Sequence, residues 1–401
     1  MKVLVLNCGS SSIKYQLFDM TQNTVMAQGL LERIGINGSH LTHTPNGDSN
    51  TKVEITGEVP DHRVGIQMVV DALLDDKHGV IATMDEINAV GHRIVHGAEK
   101  FADSFVINDE IMATLHECSE LAPLHNPANI VGVEACTELM PNVPQVAVFD
   151  TAFHQSVPEE AYIYGLPYRY YEKYGIRRYG FHGTSHKYVA QRCAQLMGQP
   201  NNGLKIVTCH LGNGCSLAAV KNGVSVDTSL GFGTIAGPIM GTRCGDIDPA
   251  IIPFLMDKEG LNAQELNNIL YKESGLLGIS GVGSDMRDIE EAAENGNKRA
   301  QLALKVFAYM NRKFIGAYAA AMGGLDAIVF TAGIGENGIA IREMICQGLE
   351  FLGAELDPEK NQVRGQEAEI SRDGAATRIY VIPTNEELMI AQDTLRLVQA
   401  L

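Results

Sequence analysis

The sequence predicts an α/β fold built from two related halves, and three observations lead to this prediction. Short apolar runs typical of buried strands alternate with amphipathic segments typical of helices. A pattern of strand, polar residue, glycine-containing turn and second strand occurs twice, near residues 3–19 and 205–220. The 401 residues are also enough for two or three domains with cores of their own.

The first copy of this pattern reads VLVLNCGSSSIKYQLFD. We predict a β-hairpin whose tip, residues 8–12, consists of glycine and small polar residues. Such a tip can direct backbone N–H groups and hydroxyls at an anion, and the cation Lys14 follows it, which makes the hairpin a candidate phosphate site. An ordinary hairpin with a polar tip is an equally good interpretation of this stretch alone.

The second copy, KIVTCHLGNGCSLAAV, repeats the order of the first. His210 stands where Asn7 stands, and Gly212 where Gly9 stands. We therefore predict two related domains, each of which contributes a phosphate hairpin.

Composition and charge argue against several classes of protein. A net charge of −17 disfavours binding to nucleic acid or to an acidic membrane surface. No apolar run approaches the roughly 20 residues of a membrane span, and we expect no signal peptide. The eight cysteines include no C-x-x-C pair, so neither a disulfide framework nor a zinc site is expected, and a reducing cytoplasm fits.

The other elements are predicted in chain order from runs and periodicity. Further strands are predicted at 24–31, 52–56, 87–95, 145–149, 326–330 and 380–383. Helices are predicted from about 61 to 74, then at 110–116, 130–139, 262–271 and 300–321, from about 339, and at 384–399. The apolar face of the 300–321 helix is predicted to comprise Ala303, Val306, Phe307, Met310, Phe314, Ala317 and Ala321. Residues 158–180 contain seven tyrosines, which we assign to packing and dimer contacts.

Several polar residues occupy turns or strand ends where chemistry is common. Arg93 and Arg243 follow glycine-containing segments and could bind carboxylate or phosphate oxygens, although a structural ion pair, for Arg243 with Asp246 or Asp248, is the favoured alternative. Asp150 ends a buried strand, where α/β proteins bind ligands, or it caps a turn.

Three further segments have a functional and a structural interpretation. Residues 333–338, GIGENG, join a strand to a helix and suit an anionic or nucleotide group, or they form a turn that needs positive φ. Glu386 and Glu387 could serve Mg²⁺, or Glu387 completes a capping box with Thr384. Asp285 and Arg287 hold nucleotide or form a plain loop. The histidines of PLHNP, GFHGTSH and CHLGNG lack the partners and spacings of zinc enzymes.

Taken together, the motifs resemble the acetate kinases, the acetokinase family of short-chain carboxylate kinases. The motifs that carry the resemblance occur in one order over nearly the whole chain: NCGSSSIK, GHRIVHG, APLHNP, VFDTAFH, RRYGFHGTSH, HLGNG, MGTRCGDIDP, GIGEN and PTNEE. The resemblance implies the duplicated fold of sugar kinases, actin and heat-shock ATPases, with an ATP cleft between two domains, residues 1–150 plus 385–401 and residues 151–384. It also implies a cytoplasmic homodimer that uses Mg²⁺, with Mn²⁺ able to replace it.

The implied reaction is the reversible transfer of a phosphoryl group from ATP to acetate, which gives acetyl phosphate and ADP. The resemblance assigns Asn7 and Glu387 to Mg²⁺, and Arg93 and His125 to the substrate. Asp150, His182 and Arg243 would be catalytic, with Asp150 either moving a proton or positioning other groups. The implied nucleotide-binding residues are Lys14, His210, Leu211, Gly212, Asn213, Gly214, Asp285, Met286, Arg287, Gly333, Ile334, Gly335, Glu336 and Asn337.

The chain departs from the family pattern at one place. Where the family reads TPLEG, this chain has GTIAG at 233–237, so Thr234 replaces a proline that helps to line the pocket for the acyl methyl group. We expect acetate to remain preferred and propionate to be used appreciably. A propionate kinase, a nucleotide-switched actin- or chaperone-like module and a phosphatase of the same fold are the alternatives.

Overall fold

The computed structural model of the chain describes residues 1–123, 125–200 and 202–401. The chain divides into two compact units, Met1–Phe153 with Asn385–Leu401, and His154–Thr384. Each unit contains one mixed sheet with helices, which confirms the predicted α/β class. Within the described residues, no helix is long and apolar enough to cross a membrane.

The first unit contains an eight-stranded sheet in the order β5-β4-β3-β2-β1-β6-β8-β7. Its strands are β1 (Lys2–Cys8), β2 (Ser12–Asp19), β3 (Thr24–Glu32), β4 (His40–Pro45), β5 (Val53–Thr56), β6 (Ala89–Ile94), β7 (Phe105–Val106) and β8 (Gln145–Phe149). Its helices are α1 (His62–Leu74), α2 (Asp109–Cys118), α3 (Asn126–Leu139) and the last helix of the chain, α14 (Glu386–Val398). The β4 strand was not predicted, and α3 begins four residues before its predicted start.

The central strand β1 is apolar on both faces because helices cover both sides of the sheet. Leu4 and Leu6 pack in one core with residues of α1 and α3. Val3 and Val5 point to the opposite core, which residues of α14 complete. A strand that is buried on both faces reads as a continuous apolar run, and this explains the VLVL sequence.

The second unit contains a six-stranded sheet in the order β11-β10-β9-β12-β14-β13. Its strands are β9 (Lys205–Leu211), β10 (Cys215–Lys221), β11 (Val224–Thr228), β12 (Ala327–Thr331), β13 (Ala368–Glu369) and β14 (Arg378–Val381). Its helices are α4 (Glu159–Tyr162), α5 (Arg169–Tyr174), α6 (Gly183–Leu196), α7 (Ile251–Glu259), α8 (Ala263–Asn268), α9 (Gly275–Ser280), α10 (Met286–Glu294), α11 (Lys298–Met322), α12 (Ala332–Asn337) and α13 (Ile339–Cys346). A short π-helical segment, Ile269–Glu273, follows α8.

The two sheets share one arrangement of strands, which confirms the predicted duplication. In each unit a hairpin, β1–β2 or β9–β10, pairs its first strand in parallel with a later strand, β6 or β12. The orders β3-β2-β1-β6-β8 and β11-β10-β9-β12-β14 therefore correspond strand by strand. Both hairpin turns are closed by a glycine N–H, from Gly9 to Ser12 O at 2.8 Å and from Gly212 to Gly214 O at 3.1 Å.

The predicted apolar face of α11 is confirmed at Ala303 and Phe307, which are buried, but it is wrong toward the end of the helix. Ala317 and Ala321 are exposed, whereas Asn311 and Tyr318 are buried. This helix contacts β9, β10 and β11 and also α9, α10 and α13, so more than one stripe of its surface is covered. Its many alanines fit either a buried or an exposed position, so the tertiary contacts decide which stripe faces the core.

Candidate active site

An arginine–carboxylate pair lies at the ends of two parallel strands of the first unit. β6 and β8 are neighbours in register, with Arg93 opposite Val148, so Asp150 follows β8 close to Arg93. Arg93 donates from Nε to Asp150 Oδ1 at 3.0 Å and from Nη2 to Oδ2 at 2.6 Å. Asp150 is only 1% exposed. Both carboxylate oxygens therefore hold the guanidinium in one plane, and the attraction of Asp150 raises the pKa of Arg93 above its ordinary value.

Other polar groups of the first unit gather around this pair. Asn7 Oδ1 accepts a long hydrogen bond of 3.5 Å from Arg93 Nη1. Lys14, which stands opposite Asn7 in the β1–β2 hairpin, forms an ion pair with Glu387. The structure thus brings together four residues that the sequence predicted for metal, nucleotide and substrate: Asn7, Lys14, Arg93 and Glu387.

Glu386 is the least satisfied polar group of this cluster. Its Oε1 atom is buried and has no hydrogen-bond partner in the described part of the chain. Burial raises the pKa of Glu386 to about 7, and the carboxylates of Asp150 and Glu387 reinforce this effect while Arg93 opposes it. A buried carboxylate oxygen without a donor is a candidate ligand for a cation.

The predicted capping box at the start of α14 is wrong. The N-cap is Asn385, whose side chain accepts from the Leu388 N–H at 3.0 Å. Thr384 N–H instead donates to Glu336 Oε1 at 3.2 Å. Asn is as good an N-cap residue as Thr, and here the helix begins one residue later, with Asn385 as the N-cap. The Glu387 side chain forms an ion pair with Lys14.

In the second unit, three predicted residues converge on the glycine turn of the β9–β10 hairpin. A Cβ atom built on Gly214 would lie 3.5 Å from both Arg243 Nη1 and His182 Cε1, so both side chains lie against this turn. The rings of His182 and His210 stack with their centroids 4.1 Å apart. His182 precedes α6 in the left-handed conformation, with φ of 56°, and this strained backbone directs its ring at the turn.

Arg243 is held by backbone and not by a carboxylate. Its Nη1 atom donates to Thr234 O at 2.9 Å, and burial lowers its pKa. Asp246 and Asp248 instead accept from backbone N–H groups, Gly237 at 2.8 Å and Ala250 at 2.9 Å. In the described ranges no carboxylate forms an ion pair with Arg243, so the structural ion pair considered from the sequence is absent there. Its charge is therefore available to an anionic ligand.

A cavity of about 670 Å³ lies beside the β9–β10 turn within the second unit. Its lining includes eight residues predicted for nucleotide: Gly212, Asn213, Asp285, Met286, Arg287, Gly333, Ile334 and Asn337. Of the other predicted residues, Leu211 is buried in β9, Gly335 is buried in α12, and Glu336 accepts from the Ala332 N–H at 2.8 Å. Asp285 and Arg287 are mutually paired, with Nη2 and Oδ2 2.6 Å apart.

The predicted loop at 333–338 is largely a helix. α12 begins directly after β12, and the residue with positive φ is Ala332, at 64°, and none of the glycines. The fully buried Arg342 explains the helical conformation, since its Nη1 donates to Gly335 O at 2.9 Å and to Glu336 O at 3.0 Å. These bonds satisfy carbonyls at the end of α12 that the helix itself leaves without partners.

His125 belongs to the predicted substrate loop, and three residues that line the cavity were not predicted from the sequence. His125 is exposed at the start of α3, whereas the adjoining Leu124 lies outside the described residues. Ser284, Glu290 and Arg364 line the cavity and were not predicted. Glu290 stands four residues after Met286 in α10, so helical spacing could have indicated it, but no sequence signal marks Arg364.

Comparison with known proteins finds similar proteins over nearly the whole chain. The model of the acetokinase family matches residues 2–392. The chain belongs to the acetokinase family. An acetate kinase from Halothermothrix orenii is 60% identical over 400 residues, with complete coverage of both chains. Two solved structures, each covering 99% of both chains, are also similar: an acetate kinase from Porphyromonas gingivalis, 50% identical with a TM-score of 0.96, and a propionate kinase from Francisella tularensis, 41% identical with a TM-score of 0.90.

Membership of the acetokinase family confirms the resemblance inferred from the motifs. The likeness to the Porphyromonas gingivalis structure extends over nearly every residue, so the two-sheet fold described above is the fold of that solved acetate kinase.

Proposed function

We propose that this member of the acetokinase family is an acetate kinase. A carboxylate oxygen of acetate forms a bond to the γ-phosphorus of ATP, and the bond from that phosphorus to the bridging oxygen of ADP breaks. The observation that carries the proposal is the full-length identity of about 60% with proteins named acetate kinase. The reverse reaction returns the phosphoryl group of acetyl phosphate to ADP.

The chemical difficulty of this reaction is that two anions must approach each other. Acetate is already ionised near neutral pH, so it needs little help from a base. Fixed cations and hydrogen-bond donors lower the barrier by spreading the charge of the phosphoryl group in flight. We assign this role to Arg93, His182 and Arg243, with acetate and the transferred phosphoryl group bound by the two arginines.

Asp150 is proposed as a positioning residue and not as a base. Both of its oxygens already accept hydrogen bonds from Arg93, and it is almost fully buried. A carboxylate in this state holds the guanidinium in orientation and keeps it charged. The exposed His125 is proposed to contact the substrate, as the family resemblance implies.

The residues of the first unit fit a Mg²⁺ ion. The candidate ligands are oxygen donors, Asn7 Oδ1 and the carboxylates of Glu386 and Glu387, which Mg²⁺ prefers, and the unpartnered Glu386 Oε1 supports the fit. When bound, the ion would neutralise phosphate charge. Glu387 already has Lys14 as its counter-ion, so the structure favours Glu386 as the second ligand with Asn7. Glu386→Gln should therefore raise the Mg²⁺ concentration for half-maximal activity more than Glu387→Gln does.

The cavity of the second unit is proposed as the ATP site. Its volume of about 670 Å³ suits a nucleotide, and its lining includes residues of the Gly212 turn and of α12. Backbone N–H groups at a glycine turn bind phosphate oxygens, while Met286 and Ile334 offer apolar contact for a base.

A cytoplasmic homodimer is proposed as the working form. All eight cysteines are free thiols, which supports a reducing compartment. Leu166, Tyr168 and Tyr174 expose large apolar surfaces in the tyrosine-rich segment, which supports a contact between copies. Sedimentation equilibrium of the wild type should give a mass of twice 43.4 kDa, and a monomer at micromolar concentration would contradict the proposal.

The test of the activity is detection of the acyl phosphate. Purified protein is incubated with ATP, Mg²⁺ and acetate, propionate or butyrate, and the product is trapped as the hydroxamate. We expect hydroxamate with acetate, less with propionate, and none without a divalent cation. Phosphate release without hydroxamate would indicate a phosphatase, and a higher kcat/KM for propionate would assign the protein as a propionate kinase.

The propionate alternative has one specific observation in its favour. Thr234 stands where the family has a proline that lines the acyl pocket, and the similar Francisella tularensis structure is a propionate kinase. Thr234 also supplies the carbonyl that holds Arg243, so the substituted position is tied to a proposed catalytic group.

A further inference from the structure

A chain of buried polar side chains leads away from His182 into the core of the second unit. His182 Nδ1 lies 2.8 Å from Ser216 Oγ on β10, and the same oxygen lies 2.8 Å from His186 Nε2 on α6. His186 Nδ1 in turn lies 2.7 Å from Thr208 Oγ1 on β9. Ser216, His186 and Thr208 are all 0% exposed. Each contact in this chain must therefore be satisfied within the protein.

His186 is neutral, so its ring carries one proton. Burial lowers its pKa well below the ordinary value, and the nearby His154 and His210 lower it further. One ring nitrogen of His186 therefore donates a hydrogen bond and the other accepts one.

The Thr208 hydroxyl decides which nitrogen of His186 accepts. Among the described residues, His186 Nδ1 is the only hydrogen-bond partner of the Thr208 side chain. A buried hydroxyl proton without an acceptor is costly, so Thr208 donates to Nδ1, and the proton of His186 must be on Nε2. His186 Nε2–H then donates to Ser216 Oγ, and the proton of Ser216 is left for His182 Nδ1.

We propose that Thr208, His186 and Ser216 are positioning residues that hold His182 as a neutral imidazole with its proton on Nε2. His182 then presents a hydrogen-bond donor at Nε2, and never a lone pair, to the oxygens of the transferred phosphoryl group. This inference rests on the proposed kinase function for its purpose, but the assignment of the proton rests on the buried contacts alone.

The chain also opposes a second proton on His182. Protonated Nδ1 would donate to Ser216 Oγ, which already accepts from His186, and the Ser216 proton would then have no acceptor among the side-chain contacts described above. Arg243 and the stacked ring of His210 lie beside His182, so a positive charge there would also meet a cation. In this pair of side chains, Arg243 therefore carries the positive charge, and the neutral His182 contributes an oriented hydrogen-bond donor.

The direct test is the protonation state of the His182 ring in the wild type. Protein labelled with ¹⁵N in its histidines is measured at pH 7 by two-bond proton–nitrogen correlation, and His182 is assigned by the signal that His182→Gln removes. We expect a pyridine-type Nδ1 and a protonated Nε2. A protonated Nδ1, in either the other neutral tautomer or the imidazolium, would overturn the proposal whatever the activity of the enzyme.

Kinetics provide a second and independent readout. Ser216→Ala removes the hydroxyl that donates to His182 Nδ1, and we expect kcat to fall about tenfold, with the KM values of ATP and acetate changing less than threefold. The matched control is Ser225→Ala, which removes another fully buried serine hydroxyl, 2.8 Å from His154 Nδ1. An equal loss of kcat in both variants would assign the effect to packing and overturn the positioning role.

Side-chain amides at position 182 test which ring position must carry the donor, while Thr208, His186 and Ser216 are left unchanged. His182→Gln places an N–H donor near the position of Nε2, whereas His182→Asn places one near Nδ1. We expect the glutamine variant to retain at least tenfold more kcat than the asparagine variant. If the glutamine and asparagine variants were equally active, the proposed donor at His182 Nε2 would be contradicted. Hydroxamate formation by the wild type would still support the kinase function in that case.

Discussion

Asp150→Asn is the change that best separates a positioning role from a proton-transfer role. The wild-type carboxylate accepts two hydrogen bonds from Arg93, at 3.0 and 2.6 Å. Asparagine keeps one acceptor oxygen, so one hydrogen bond from Arg93 is retained. Its NH₂ group faces the other guanidinium N–H, so the second charge-assisted bond is lost and two hydrogen-bond donors face each other. The loss of such a bond costs about 1.5–3 kcal/mol, and breaking a buried pair costs about 3–5 kcal/mol.

The expected kinetic effect follows from the freedom that Arg93 gains. If about 3–4 kcal/mol of the interaction serves to orient Arg93 in the transition state, kcat/KM for acetate should fall by about 10²–10³-fold. Initial rates of hydroxamate formation at saturating ATP and Mg²⁺, with acetate varied, measure this value. The thermal midpoint of the variant is measured in parallel, so that loss of folded protein is not mistaken for loss of rate.

A matched control replaces an exposed partner of another arginine. Asp103 Oδ1 accepts from Arg396 Nη2 at 2.8 Å on the surface of the same unit, and exposed pairs of this kind contribute at most about 1 kcal/mol. Asp103→Asn should therefore change kcat/KM by less than twofold. The positioning argument would be refuted if Asp150→Asn kept kcat/KM within threefold of the wild type, or if it lost kcat with an unchanged KM together with the acidic limb of the pH–rate profile.

Three other predictions follow from single contacts. Arg342→Lys should destabilise the fold by about 3 kcal/mol and raise the KM for ATP more than that for acetate, because lysine cannot reach all the carbonyls that Arg342 binds around α12; an unchanged urea midpoint would contradict this. Burial lowers the pKa of His92 to about 4, below the ordinary value of about 6.5, so stability that is present above pH 6.5 is lost as the pH falls toward 4. Between pH 7 and pH 5 the loss is about 2 kcal/mol, so urea unfolding of His92→Gln should show a pH dependence smaller by that amount, and an equal dependence would be evidence against it. Thr234→Pro keeps the carbonyl that binds Arg243 and should raise the ratio of kcat/KM for acetate to that for propionate by about tenfold; an unchanged ratio would show that this position does not contact the acyl chain.

Local sequence was sufficient for several buried strands and for the start of α1. The runs at 3–6 and 146–149 are apolar without alternation, and both lie in strands buried on two faces. The helix predicted near residue 61 begins as expected, because Asp61 caps it by accepting from the Val64 N–H at 3.0 Å. These features depend on neighbours in sequence, so they could be predicted.

Predictions failed where several local solutions have similar energies. Thr384 and Asn385 can both cap a helix, and the contact of Thr384 with Glu336, 48 residues away, accompanies the choice of Asn385. The glycines of 333–338 permit a loop, but the buried Arg342 binds carbonyls of a helix there. In α11, alanines leave the phase of the buried stripe open. The free-energy differences between these local alternatives are smaller than the free energy of tertiary packing, so tertiary contacts decide among them.

The sequence by itself determined the class of fold, its duplication and the residue types available for phosphoryl transfer, because strand periodicity and short motifs are local properties of the chain. Only the tertiary structure decided which of these residues meet. Asp150 binds Arg93 across 57 positions, and Ser216 of β10 lies between His182, which precedes α6, and His186, which is part of α6. Side-chain partners and proton positions depend on distances and burial in the folded chain, and spacing along the sequence contains neither.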